Sequence, residues 1–273
     1  MRKKTYATFI IAFLCFTIIL ATVSFLILLK KYNYKLSNIV DRKTTSTTEE
    51  TSTEGETFLQ NYSGNVNILA VCENSNNKLG FFGVLNFNMD AKQVSVMSFD
   101  NDTSLSFDGK SGTFSDIYST GGALGLSQAI EKCYEIKIDR FIDVTETNFK
   151  RVISCLGDAR IYSDEKISYK GSDYVLFLEE GEQSATGETV LSYFKYLDAK
   201  GRSVLTAEIL DYYMNSGKIN ATQDMFDSLI NLFNTNISLK DFNSVSETFA
   251  AFLNDSSRRK TVVSDIPEVT DNG

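Results

Sequence analysis

The stretch Asn67 to Ser98, NILAVCENSNNKLGFFGVLNFNMDAKQVSVMS, holds three short apolar runs separated by polar breaks. Asn67 to Val71 and Phe81 to Asn86 have the length and the β-branched or aromatic content of strands. Gln93 to Ser98 alternates apolar and polar residues as a half-buried strand does, which turns Val96 toward a core. Breaks this short make the three strands neighbours. Toward the C-terminus, Gly121-Gly122 opens a helix through Cys133, Phe141 to Val144 is strand-like, and Asn148 to Leu156 (NFKRVISCL) carries an apolar face at helical spacing before Gly157 stops it. Ala159 to Tyr162 resumes a strand. Helices follow from Thr186-Gly187-Glu188 through Tyr196 and from Ser203 to Asn215, with amphipathic helices at Gln223 to Asn234 and Asp241 to Leu253. Strands alternating with helices predict a layered α/β domain.

Ahead of this region the chain changes character. Residues 1–4 form a basic tail, and Thr5 to Leu29 is an uncharged, almost wholly apolar run closed by Lys30 and Lys31. Its length suffices for one transmembrane helix, and it lacks the short apolar core and small-x-small exit of a cleaved signal peptide. A large domain after a short basic N-terminus predicts a single-pass protein of the cell membrane, with the N-terminus cytoplasmic and the domain extracytoplasmic. Residues 30–58 read as a juxtamembrane segment and stalk, because Asp41 to Glu56 (DRKTTSTTEETSTEGE) offers almost nothing to a core. Residues 59–253 then make one globular domain, and residues 254–273 a flexible tail.

All 35 Asp and Glu follow Val40, whereas four of the 27 Lys and Arg (Arg2, Lys3, Lys4 and Lys30) precede Lys31, leaving about −12 from there on. That balance excludes nucleic acid as a partner and suits solubility at an anionic surface. Histidine is absent, which removes Ser-His-Asp and Cys-His nucleophilic schemes and every His-based zinc site. Beyond the anchor lie Cys72, Cys133 and Cys155, an odd number without metal-site spacing. Two readings stand for Cys133 and Cys155, a bridge between two helix ends or, favoured, small buried thiols.

The order of landmarks resembles the LytR-CpsA-Psr family of cell-wall glycopolymer transferases. The stations are Asn67-Ile-Leu-Ala-Val71, Ser98-Phe-Asp-Asn-Asp-Thr103, Ile117-Tyr-Ser-Thr-Gly-Gly122, Ile138-Asp139 with Asn148-Phe149 and Leu156-Gly157, then Leu178-Glu-Glu-Gly181-x-Gln183. Gly187-Glu188-x-x-Leu191-x-Tyr193-x-Lys195-Tyr196 and Thr235-Asn236-Ile-Ser-Leu complete them. The resemblance implies a three-layer αβα domain around a central mixed sheet, preceded by one transmembrane helix, with a hydrophobic cleft for a polyprenyl chain. It also implies transfer of a glycopolymer phosphate from a polyprenyl pyrophosphate to a wall sugar, with magnesium, arginines and a few aspartates.

Pyrophosphate chemistry needs cations fixed around the phosphate oxygens, and arginine grips two oxygens at once without losing its charge. Here the chain departs from the family. The Arg-x-Asp-Thr element falls on Lys78-Leu79-Gly80-Phe81, Pro-Arg-Asp-Thr on Asp100-Asn101-Asp102-Thr103, and Tyr-x-Arg-Tyr-Arg on Tyr193-Phe194-Lys195-Tyr196-Leu197. The lysine before the next helix falls on Thr113, and Asp-x-Gly-Arg on Ala199-Lys200-Gly201-Arg202, with Asp198 one position out of register and Leu205 in place of a second arginine. Asp102 reads either as a magnesium ligand or as a turn residue. Arg202 reads as a phosphate ligand or a solvated residue at a helix start, and Lys78 and Lys195 as substrate ligands or solvent-facing lysines. Tyr193 and Tyr196 read as packing residues.

The sequence thus predicts Asp102 and Arg202 as the catalytic remnant, Lys78, Lys195 and Arg202 as substrate ligands, and Asp102 as the contact to Mg2+. Its partners are the membrane, a polyprenyl phosphate or pyrophosphate lipid, and a cell-wall glycopolymer or peptidoglycan. Losing one oxyanion donor costs about 3 kcal/mol, and several cations are missing. A lipid- or glycopolymer-binding pseudoenzyme is therefore expected, with a weak magnesium-dependent phosphotransferase as the alternative.

Overall fold

The computed structural model describes residues 65–107, 109–254 and 260–269. The expected tail, anchor and stalk at residues 1–58 lie outside the described residues.

The three sequence-predicted strands are β1 (Asn65–Glu73), β2 (Leu79–Asn88) and β3 (Gln93–Ser98), paired antiparallel in order. A small hairpin follows, β4 (Ser104–Phe107) with β5 (Lys110–Thr113), and then α1 (Phe114–Tyr134). This helix begins earlier than Gly121-Gly122. Thr113 caps it, accepting from the Asp116 N–H while the Asp116 carboxylate takes the Thr113 N–H, a reciprocal pair that sets the start. Gly122 is an internal kink with φ 58 and ψ −154, a conformation that favours glycine.

Next come β6 (Arg140–Thr145), α2 (Glu146–Leu156), β7 (Ala159–Ser163), the hairpin β8 (Ile167–Lys170) and β9 (Val175–Leu178), and β10 (Gly181–Ala185), which pairs back on β7. The rest is α3 (Gly187–Tyr196), α4 (Ala199–Asn215), α5 (Gln223–Ile230), β11 (Asn234–Thr235), α6 (Leu239–Asn254) and β12 (Lys260–Val263). The helix expected to run to Asn234 ends at Ile230, because Asn234 and Thr235 pair with β6 instead. Within the tail expected to fray, Lys260–Val263 adds a parallel strand to β3, a partnership with no local sequence signal.

The main sheet has the order β11-β6-β1-β2-β3-β12 and is mixed, since β6 on β1 and β12 on β3 are parallel. Its faces follow strand alternation. Leu69, Val71, Phe82, Val84 and Phe99 pack with Phe114, Leu126 and Ile130 of α1 in one core. On the opposite face Cys72, Phe81 and Val144 pack with α2, α3 and α4, and Val94 with α4 and α6. Helices on both faces of a mixed sheet give the expected three layers. Val96 is 1% exposed, as its alternation requires.

Gly187 begins α3 where it crosses α2. A Cβ there would lie 2.6 Å from the Lys150 carbonyl oxygen, so only glycine allows the two helices to approach this closely.

Candidate functional site

Parallel and antiparallel pairing brings the ends of β1, β3 and β6 and the start of β2 to one end of the sheet. Of the four sequence-predicted site residues, Lys78 and Asp102 lie in loops there, and helices α4 and α3 bring Arg202 and Lys195 to the same end. Lys78 is exposed in the β1–β2 turn, whose backbone is tied by the Lys78 and Asn76 N–H groups donating to Asn74 Oδ1. Asp102 is exposed in the tight turn after β3, where the Thr103 N–H donates to the Asp100 carbonyl and the Asp102 N–H to Asp100 Oδ1. Asn101 fastens this turn to β2, donating to the carbonyls of Leu79 at 3.2 Å and Gly80 at 2.8 Å.

Arg202 lies in the first turn of α4. The helix starts at Ala199 because Asp198 caps it, accepting from the Gly201 N–H at 2.7 Å, which accounts for the aspartate one position out of register. The same turn is locked to the sheet by a buried bond from the Ser98 N–H to Ser203 Oγ at 2.8 Å. Arg202 Nε donates to the Phe194 carbonyl at 3.0 Å. Burial lowers the proton affinity of the guanidinium, while Asp100, Asp198 and Tyr174 act in the other direction; it stays charged. Tyr174 stacks on Tyr169 at 4.9 Å, and Tyr169 meets Tyr196 edge-on at 5.6 Å. Tyr193 is buried as expected, but Tyr196 is 41% exposed, because that part of α3 faces out toward the β8–β9 hairpin rather than into the core.

Lys195 occupies a different environment from the other three. Its Nζ pairs with Glu146 Oε1 at 2.7 Å, with only 23% and 15% of the two side chains exposed. To grip a phosphate it would have to leave that carboxylate. The residues are distant in sequence, and nothing in the local pattern around Glu146 foretold the pair.

Gly80 explains one of the departures from the family pattern. The β1–β2 register shifts between Cys72 and Glu73, so Gly80 is the extra residue of a bulge, and a Cβ there would stand 2.8 Å from the Cys72 carbonyl oxygen. The local backbone thus has no room for the carboxylate that the resemblance puts at this position. Thr113, which stands where the family has a lysine, is the N-cap of α1.

The residues present do not form a resident magnesium cage. Among the described residues no three acidic or cysteine side chains converge as metal donors, and Asp100 and Asp102 are carboxylates of a single exposed turn. Such a turn supplies one or two of the six oxygens magnesium takes.

On the sheet face shared with Cys72 and Phe81, an apolar cavity of about 290 Å3 lies between the sheet and helices α5 and α6. Ile68, Phe87 and Ile142 floor it, and Phe226, Phe233 and Phe242 are among the side chains closing it. Arg140 and Asp241 stand in its wall as a two-point pair, Nη2 to Oδ1 at 2.9 Å and Nε to Oδ2 at 3.3 Å. Burial raises Asp241, but Arg140 and the N–H and hydroxyl of Ser238 outweigh it and hold the carboxyl below its usual range. The apolar stripes of α5 and α6 were legible as amphipathic helices; that they leave a hollow was not.

Buried between β6 and α1, Asp143 is 9% exposed and accepts the Tyr118 hydroxyl at 3.0 Å, while its Oδ1 has no hydrogen-bond partner. Burial pushes its carboxyl up to about 6, against the Tyr118 bond, and Glu73 adds to the rise. Cys72 and Cys133 are buried thiols, raised by burial, whereas Cys155 is an exposed free thiol; no bridge joins Cys133 and Cys155. Cys155 thus departs from the buried reading, because it sits on the solvent side of α2.

The chain is thus a three-layer mixed α/β domain with an apolar cavity on one sheet face and cations and carboxylates gathered at the sheet's end. The LytR_cpsA_psr family profile matches residues 32–264, and the chain belongs to that family. Solved structures share the fold. A putative transcription regulator from Eubacterium siraeum is 15% identical with a TM-score of 0.64, covering 84% of this chain and 95% of that one. B. subtilis TagV is 19% identical with a TM-score of 0.58, covering 74% and 85%. TagT bound to LIIa-WTA is 18% identical with a TM-score of 0.56, covering 82% and 84%. None of the curated proteins compared matches in sequence.

Proposed function

We propose that this chain is anchored in the cell membrane by its N-terminal apolar run and serves cell-envelope glycopolymer attachment as a binding protein. It holds a polyprenyl-linked glycopolymer and has lost most of the family's power to transfer it. One observation carries this reading: an apolar cavity stands over the sheet, while the cations at the sheet's end are few. Lys195 is committed to Glu146, Arg202 gives its Nε to the Phe194 carbonyl, and Gly80 and Thr113, which serve local backbone structure, stand where the resemblance puts an aspartate and a lysine. A cavity of this size falls at the small end of ligand pockets, and each CH2 buried in it contributes about 0.8 kcal/mol. The ligand of TagT, LIIa-WTA, supports a glycopolymer partner.

The full chain in detergent, titrated with a short polyprenyl phosphate, tests the reading. Binding is expected, and Ile142→Trp, which fills the cavity floor, should weaken it at least tenfold. Undiminished binding in that variant would remove the cavity from the site. Magnesium-dependent phosphate release from the corresponding pyrophosphate is expected to be absent. Turnover that falls in Asp102→Ala would instead make the chain a divergent, weak phosphotransferase working through Asp102, Lys78 and Arg202.

A further inference from the structure

A second cavity, of about 480 Å3, lies away from the loops and the apolar hollow, between the outer face of β7–β10 and α4. Its volume is within the ordinary range of small-molecule sites, ~300–1,000 Å3. One wall is a helical stripe: Glu208, Asp211, Tyr212 and Asn215 stand at i, i+3, i+4 and i+7 of α4 and so share a face. The other wall is the exposed side of the strand pair, where register sets Tyr162 opposite Glu182 and Arg160 beside them.

The chemistry of these walls is mixed. Tyr162 is 49% exposed and offers a free ring face. Arg160 pairs with Glu182 at 3.1 Å and lies 5.8 Å above the Tyr212 ring, so the guanidinium is held in place with N–H groups to spare. Glu208 is half-buried; burial pushes its carboxyl up and the Tyr162 N–H holds one of its oxygens, leaving further acceptor capacity. Asn215 is oriented by its donations to the Asp211 carbonyl at 2.9 Å and to Asp211 Oδ1 at 3.1 Å, which leaves its own oxygen as an acceptor. A rim that offers donors and acceptors together, beside an exposed aromatic face, matches a ligand whose groups each donate and accept while its ring carries apolar C–H faces. Three carboxylates against one guanidinium repel a simple anion, while the exposed ring and the oriented amide and guanidinium give a bare cation nothing to use beyond charge.

We infer that the cavity between β7–β10 and α4 is a binding site for a neutral saccharide, stacked on Tyr162 with its hydroxyls on Glu208, Arg160 and Asn215. Glu208 is about 9 Å along the α4 axis from Arg202, at 1.5 Å per residue, and about 120° around the helix, so the two regions are separate. The site does not depend on the polyprenyl-binding reading.

The test is calorimetric titration of the full chain in detergent with the neutral trimer of N-acetylglucosamine, and with spermidine as a charge-only probe. Saturable trimer binding is expected, weakened at least fivefold by Tyr162→Ala and by Glu208→Gln, with spermidine binding weaker than the trimer. Glu208→Gln keeps an oxygen for the Tyr162 N–H, so its loss of binding reports the rim and not the fold. No saturable trimer binding, tighter binding of spermidine, or trimer binding unchanged in both variants would overturn the assignment. Ile142→Trp should leave trimer binding intact, which separates failure here from failure of the lipid-binding reading.

Discussion

Asp143→Asn should shift the balance of stability between variant and natural chain in the variant's favour as pH rises. In the folded state the Asp143 carboxyl is held up to about 6, first by burial and then by Glu73, with the Tyr118 hydroxyl opposing. In the unfolded chain it returns to about 3.9. The folded state therefore binds this proton more tightly. Below both values the proton is present in both states and nothing is lost. As pH rises the unfolded chain ionises first, so stability falls until pH passes the folded value and then levels off. Each tenfold difference in proton affinity is worth about 1.4 kcal/mol, which makes the full loss about 3 kcal/mol at neutral pH. An asparagine cannot ionise. It brings its own cost, about 1–3 kcal/mol for an amide group left unmet beside the orphaned Oδ1 position, but that cost does not vary with pH. The measurable quantity is thus the stability gap between variant and natural chain at pH 3.5 and at pH 7.5, from urea unfolding. It should shift in favour of the variant by about 2.5 kcal/mol across that interval. A gap that is the same at both pH values would refute the reasoning, whatever its absolute size.

Gly187→Ala should cost about 1–3 kcal/mol, because the new methyl meets the Lys150 backbone and must push α2 and α3 apart; an unchanged melting temperature would mean that the crossing is looser than drawn. Val96→Asp places a charge in a core position 1% exposed and should unfold the domain or lower its melting temperature steeply, and a near-native melt would contradict the β3 register. Lys195→Ala leaves the Glu146 carboxylate partly buried and alone, so it should destabilise by about 3 kcal/mol, and adding Glu146→Ala should recover part of that; a double variant no more stable than the single would show that the pair is not coupled.

Much of the fold was legible in the sequence because it rests on local rules. The alternation of Gln93–Ser98 placed Val96 inside, and the apolar spacing of Asn148–Leu156 with Gly157 behind it gave α2. The errors have local causes as well. Gly121-Gly122 looks like a helix boundary, yet the Thr113–Asp116 capping pair starts the helix upstream and lets Gly122 become a kink. Asn234 continues a helical pattern in sequence, but β6 has an open edge that captures it. Of the candidate site, Lys78, Asp102 and Arg202 could be named from the sequence, while the neighbours that decide their chemistry, Phe194 for Arg202 and Asn101 for the Asp102 turn, were invisible.

By itself the sequence determined the period of each element, the starts of α3 and α5, the family, and the thinning of its arginines. Covalent geometry fixes those periods within a few residues, and a missing guanidinium is missing in any fold. Only the tertiary structure decided that Lys260–Val263 joins β3, that Lys195 is consumed by Glu146, that the Gly80 bulge excludes a carboxylate, and that α5 and α6 leave a hollow over the sheet. Each of these depends on a partner far away along the chain, and the free energy of such a contact exists only after the layers have closed around it.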